Sequence, residues 1–155
     1  MIERETDFST WADSMSYVLT ERCEAISAAS GLSATDVDHI AEEIADLSAK
    51  EKRQLRKQLA RLLSHLLKWK YQPAMLYRHG SSWRKTIRNS RNEISDVLKF
   101  SPGLSQYLAE WVVDLYPRAV VDASDQTGIA PSAFPATCPW TVEQIMQSEP
   151  WVFEY

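Results

Sequence analysis

Apolar residues recur at three- and four-residue steps through nearly the whole chain, and that period restricts the fold to packed helices. Phe8, Trp11, Met15, Val18, Leu19 and Ile26 mark a first helix, capped by Asp7 and stopped by Gly31. Val37, Ile40, Ala41, Ile44 and Leu47 mark a second, starting at Ser33 or Thr35. Extending that stripe would put Glu51 on the apolar face. Ser48-Ala49-Lys50-Glu51 instead reads as a capping box, serine and glutamate each satisfying a free N–H of the other, so a break is expected within two residues of Ser48.

A third helix carries Leu55, Leu59, Leu62, Leu63, Leu66, Leu67 and Trp69 and ends before Pro73, which disfavours helical geometry in the preceding residue. A loop through Arg78, His79 and Gly80 leads to a fourth, capped by Ser81 or Ser82, with Trp83, Ile87, Ser90, Ile94, Val97 and Leu98. Ser101-Pro102 opens a fifth, faced by Leu104, Leu108, Trp111, Val112 and Leu115; Pro117 is expected to kink it before Gly128. After the proline-rich stretch IAPSAFPATCPW, Thr141 and Gln144 form a second capping box, with Trp140 and Ile145 at hydrophobic-staple spacing.

No strand-type alternation interrupts this pattern. The expected fold is all-α: an antiparallel, up-and-down bundle of about five helices over residues 7–128, then a proline-rich loop and a short terminal helix over 129–155, in one domain. Trp11, Leu59, Leu66, Trp69, Trp83, Ile87, Leu108 and Trp111 are the expected core, mostly buried in one cluster. Hydrophobic residues at 45% and charged ones at 25% suit a globular protein, and no apolar run is long enough to span a membrane. The charged start MIERETDFSTW lacks the apolar stretch of a secretory signal. Cys23 and Cys138, far apart, suggest reduced thiols in a cytoplasm, Cys23 as a small core residue.

Charge is segregated along the chain. Between Lys50 and Arg91 stand thirteen cations and a single acid, Glu51, whereas the rest holds four cations and twenty acids. Arg53, Lys57, Arg61 and Lys68 share an outer face of the third helix, and Arg84, Arg88 and Arg91 one of the fourth. Such faces, near Trp69, Tyr71, Tyr77 and Trp83, suit phosphates and bases. The leading reading is internal neutralisation: Asp36, Asp38, Glu42, Glu43 and Asp46 on the second helix pack beside the basic third. An acidic protein partner is the remaining alternative.

A metal site is a further candidate. A tight turn at Ser48 would bring Glu42 and Glu43, with His39 and Asp46 nearby, toward His65 on the next helix. The paired Glu-x-x-His signature of di-metal bundles is absent, and a solvated carboxylate face is the commoner explanation. In HLLKWKYQP, His65 is expected at the edge of the buried stripe, packed on an indole, with Lys68 and Lys70 pointing outward. The segment reads mainly as a helix terminus. No phosphate-cradling glycine loop or nucleophile elbow occurs. Cys138 is the one thiol expected to be exposed, with no histidine beside it in sequence to activate it.

The stretches DFSTW, HIAEEIADL, LLSHLLKWKYQP, SSWRKTIRNSRNEI and TGIAPSAFPATCPWTVEQIM, in this order, resemble a bacterial family catalogued as domain of unknown function 29. His39 and Ser48 stand where members more often carry Asn and Gly. The resemblance spans about Asp7 to Trp151 and implies an all-helical fold in a bacterial cytoplasm; it implies no reaction, ligand, cofactor or catalytic residue. The expected function is accordingly a binding, interaction or regulatory module without catalysis, with a protein partner and no cofactor. Nucleic-acid binding through Arg53, Lys57, Arg61, Arg84, Arg88 and Arg91 is one alternative. A metal-dependent enzyme using Glu42, Glu43 and His65 is the other.

Overall fold

The computed structural model describes residues 2–147. Among them there is no strand, and the chain forms six α-helices: α1 (Phe8–Glu21), α2 (Cys23–Ser30), α3 (Ala34–Tyr71), α4 (Leu76–Phe100), α5 (Leu108–Thr127) and α6 (Val142–Met146). Three 3-10 segments, Pro73–Met75, Pro102–Tyr107 and Pro131–Ala133, begin at prolines, where the missing N–H costs nothing. The fold is all-α. Residues 2–54 with 97–105 form one compact unit, and residues 55–96 with 106–147 form another.

In the first unit, Asp7 caps α1: its Oδ1 accepts from the Thr10 N–H at 3.1 Å. Its Oδ2 accepts from the Thr10 hydroxyl at 2.9 Å and from the Gly103 N–H at 2.8 Å. A Cβ at Gly103 would overlap Asp7 Oδ2 and stand 2.6 Å from Thr10 Oγ1, so any side chain there must displace the capping carboxylate and the Thr10 hydroxyl. The helix expected to run from Asp7 to Gly31 is two helices broken at Arg22, and Gly31 ends the second at φ 77°. Cys23, expected in the core, is only half-buried and donates its thiol to the Ala34 carbonyl.

At the start of α3, the Ser33 hydroxyl accepts from the Asp36 N–H and the Asp36 carboxylate accepts from the Ser33 N–H. The Ser33 hydroxyl, which also donates to the Asp36 carboxylate at 2.6 Å, and the Ser33 N–H hold that carboxyl below its ordinary pKa. The expected break at Ser48 is absent, because α3 runs unbroken from Ala34 to Tyr71. Ser48 and Glu51 have other partners. Ser48, fully buried, pairs its hydroxyl with that of Ser9 at 3.0 Å, and the Ser101 hydroxyl donates to Glu51 while accepting from the Ser9 N–H at 3.1 Å. A serine and a glutamate three residues apart cap a helix only where the backbone leaves N–H groups unbonded; inside this helix they link neighbouring segments. The buried stripe here is Val37, Ala41 and Ser48, narrower than expected, with Ile40 and Leu47 exposed.

In the second unit, three helices lie up, down and up. α4 runs antiparallel to α3, as the Ser90–Gln58 hydrogen bond and the stacking of Arg84 over Trp69 show. α5 runs parallel to α3, with Arg56 paired to Asp114 and Lys68 to Gln126, the same offset of 58 positions in both. Leu55, Leu59, Leu62, Leu63, Leu66 and Leu67 fill the centre with Trp69, Trp83, Ile87, Ile94, Leu108, Val112, Leu115 and Ile145. Six of the expected core residues are buried. Trp111 in this unit and Trp11 in the first are half-buried, each with an arginine on its ring: Arg56 on Trp111 and Arg4 on Trp11.

The loop expected at Arg78–Gly80 is helical. α4 begins at Leu76, and Gly80 is buried within it, where an added Cβ would meet Leu76 and Trp69 at ordinary contact distance. α5 continues through Pro117 to Thr127, where Gly128 caps it at φ 74°. The capping box of Thr141 and Gln144 starts α6 as expected, both reciprocal bonds being present.

Candidate functional site

Glu42 and Glu43 are exposed on the part of α3 in the first unit, and His39 and Asp46 are exposed beside them. The turn at Ser48 that was to carry His65 toward them does not exist, since Ser48 lies inside α3. Among the described residues, no three His, Cys, Asp or Glu side chains gather closely enough to hold a metal ion.

His65 instead belongs to a buried polar cluster of the second unit. Its Nδ1 donates to the Arg61 carbonyl at 2.9 Å, which leaves Nε2 to accept from the Lys68 ammonium at 3.1 Å. Lys68 was expected to point outward. It is 2% exposed, donates to Gln126 Oε1 at 2.5 Å, and lies 5.2 Å from the Trp83 ring centroid. The reason is geometric: α4 and α5 flank α3 on two sides, so a position outside the leucine stripe still meets protein. Burial, with the Arg61 charge adding, lowers the Lys68 pKa to about 8, against which the Asp122 carboxylate acts. Burial and the neighbouring Lys68 charge lower the His65 pKa to about 4. The pair is a neutral imidazole serving a buried cation.

The basic face divides. Arg53 is exposed in the first unit, and Lys57, Arg61, Arg84 and Arg88 are exposed in the second. Arg91 is not on that face: it is 8% exposed and its Nε donates to the Ile145 carbonyl at 2.9 Å, satisfying an acceptor near the end of α6. Position 91 follows Ile87 by four and precedes Ile94 by three, so the apolar period already placed it inward. Arg56 pairs with Asp114, and in the first unit Lys52 pairs with Asp13 at 2.7 Å. Within the first unit the acids at 36–46 and the cations Lys50, Lys52 and Arg53 are successive turns of one helix, so the former do not fold back over the latter. That removes the arrangement on which neutralisation by the second helix depended.

From Arg78 to Asn92, the exposed residues of α4 are Arg78, His79, Ser81, Ser82, Arg84, Lys85, Arg88, Asn89 and Asn92. No acid and no apolar side chain occurs among them. Arg78, Ser81, Ser82, Lys85, Arg88, Asn89 and Asn92 recur at three- and four-residue steps on one outer stripe, and Tyr77, 98% exposed, stands at its start. Lys85 was not among the expected site residues, and the absence of acids between Arg78 and Asn92 was the signal that marked it; Tyr77 was expected only as one of the aromatics near the basic faces.

A cleft of about 590 Å³ opens between α5 and the segment 136–143, lined by Val112, Val113, Tyr116, Pro117, Trp140 and Glu143 among others. The Tyr116 hydroxyl ties this loop to α5 by donating to the Pro135 carbonyl at 2.8 Å. Cys138 lines the cleft but is half-buried; burial raises its thiol pKa, which disfavours a nucleophilic thiolate at neutral pH.

Among its described residues the chain is all-helical, and no metal-holding cluster is assembled. Its family follows from the sequence: a family model matches residues 4–151, and the chain belongs to the domain of unknown function family DUF29. No curated protein and no solved structure matches it.

Proposed function

We propose that the chain is a non-catalytic binding module of the bacterial cytoplasm, and that its second unit contacts the phosphate backbone of a nucleic-acid duplex through the outer stripe of α4. The observation that carries the reading is that stripe, fifteen residues from Arg78 to Asn92 with only donors and cations exposed. Phosphate contact needs cations and neutral donors at regular spacing and is opposed by any carboxylate among them. A membrane-surface helix would need apolar residues on the same face, and this stripe has none. A protein interface would want a desolvated aromatic or aliphatic anchor near its centre; Tyr77 stands only at one end. Two free thiols fit a reducing compartment.

Arg78 and Lys85 provide the test, because the ring contact of Arg84 with Trp69 would confuse the loss of a charge with the loss of packing. A labelled mixed-sequence duplex titrated at several salt concentrations should bind with a linear log–log salt dependence. Arg78→Gln with Lys85→Gln should flatten that slope by about two, one unit per lost phosphate contact. Binding that is absent at low salt, unchanged in the double variant, or seen with anionic vesicles but not with the duplex would overturn the reading.

A further inference from the structure

The cleft between α5 and the segment 136–143 has a charge character opposite to that of the helix face just described. Among the described residues lining it, Glu143 is the one charged side chain. Tyr116 and Trp140 give it aromatic walls, and Val112, Val113 and Pro117 give it an apolar floor. Pro117 also changes the backbone there. Proline carries no N–H, so the Val113 carbonyl one turn earlier loses its helical donor, and both residues line the cleft. Glu143, the Val113–Pro117 turn and the rings of Tyr116 and Trp140 thus line one concave, largely apolar site large enough for a small ligand. The surrounding unit is otherwise rich in cations, which makes their absence from this lining a local feature.

We propose that this cleft is a binding site for a small organic cation with an apolar body, such as an arylalkyl amine. Its ammonium group meets Glu143 and the Val113 carbonyl, and its apolar part lies against Tyr116, Trp140 and Pro117. The site is independent of the α4 stripe, and neither reading requires the other.

Phenethylammonium is the probe, with 2-phenylethanol as its neutral counterpart of similar size, each titrated into the isotope-labelled full chain by NMR. The expected result is saturable shifts centred on the amides of Thr137, Cys138 and Glu143 and on the Trp140 indole, with the alcohol binding more weakly. Glu143→Gln should weaken the ammonium probe about three- to fivefold and leave the alcohol unchanged. Pro117→Ala returns an N–H to the Val113 carbonyl and should also weaken the ammonium probe in a chain whose spectrum shows it folded. Equal binding of the two probes would reduce the cleft to an unselective apolar surface and overturn the proposal. So would shifts confined to other residues, or no saturation at millimolar probe.

Discussion

At the scale of single residues, hydrogen-bonding partners rather than residue type decide what each polar group does. His65 and Lys68 are neighbours on one helical face, and their pKa values are lowered to about 4 and about 8 because both are desolvated, with the Lys68 charge adding to the shift at His65 and the Arg61 charge to that at Lys68. The consequence for stability has a definite sign. The unfolded chain binds more protons than the folded one between pH about 4 and 6.5 for His65, and between about 8 and 10.5 for Lys68. Stability therefore rises with pH in both windows, and the His65 contribution, complete above 6.5, is lost as pH falls toward 4. Above pH 10, Tyr116 opposes the upper rise, since its hydroxyl, raised to about 12 by burial, is more readily ionised in the unfolded chain. Denaturant unfolding measured from pH 4 to 10 should show both rises; His65→Gln should flatten the lower and Lys68→Met the upper. A second residue-scale expectation concerns Gly103. Any side chain there meets the Asp7 carboxylate that caps α1, so Gly103→Ala should cost about 1–3 kcal/mol as an overpacking change. An unchanged denaturation midpoint would mean that the approach relaxes freely.

Elements are where local signals proved ambiguous. Asp7, Gly31, Gly128, Pro73 and the Thr141–Gln144 box end or start helices as their chemistry dictates, because each acts through bonds made within its own turn. Ser48 and Glu51 carry the same signature without the same outcome. Their hydroxyl and carboxylate are committed to Ser9 and Ser101, residues far away in sequence, and the helix is left intact. Lys50 tests this directly, being exposed and two residues past the discarded break. In a continuous helix, Lys50→Pro removes an internal hydrogen bond and should cost about 3 kcal/mol or more relative to Lys50→Ala. At the second position of a new helix it would cost far less. Thermal unfolding of the two variants followed by circular dichroism distinguishes these cases. The helical start of α4 was also unexpected: Ser81, Ser82 and Gly80 all suit a cap or turn in isolation, but Gly80 lies inside the helix without a positive φ, and a Cβ there would meet Leu76 and Trp69 only at ordinary contact distance.

For the whole molecule, the net charge of −4 conceals two opposite halves. Residues 2–54 with 97–105 hold twelve acids and six cations; residues 55–96 with 106–147 hold eleven cations and seven acids. Exposed charges act over roughly 8–10 Å at physiological salt, so a duplex would respond to the local field of α4 and not to the net value. Periodicity, capping and composition by themselves determined the helical class, most helix ends, the leucine core of α3 and the basic character of residues 50–91, because these depend on interactions a few residues apart or on residue counts; the family rests on the matched stretches in their order. Tertiary structure alone decided that Ser48 links helices instead of starting one and that Lys68 is buried. It alone also placed Glu143, Trp140 and Pro117 around one cleft. Each of these outcomes depends on which segments, distant in sequence, come to lie against a given turn, and the period of a single helix carries no record of its neighbours.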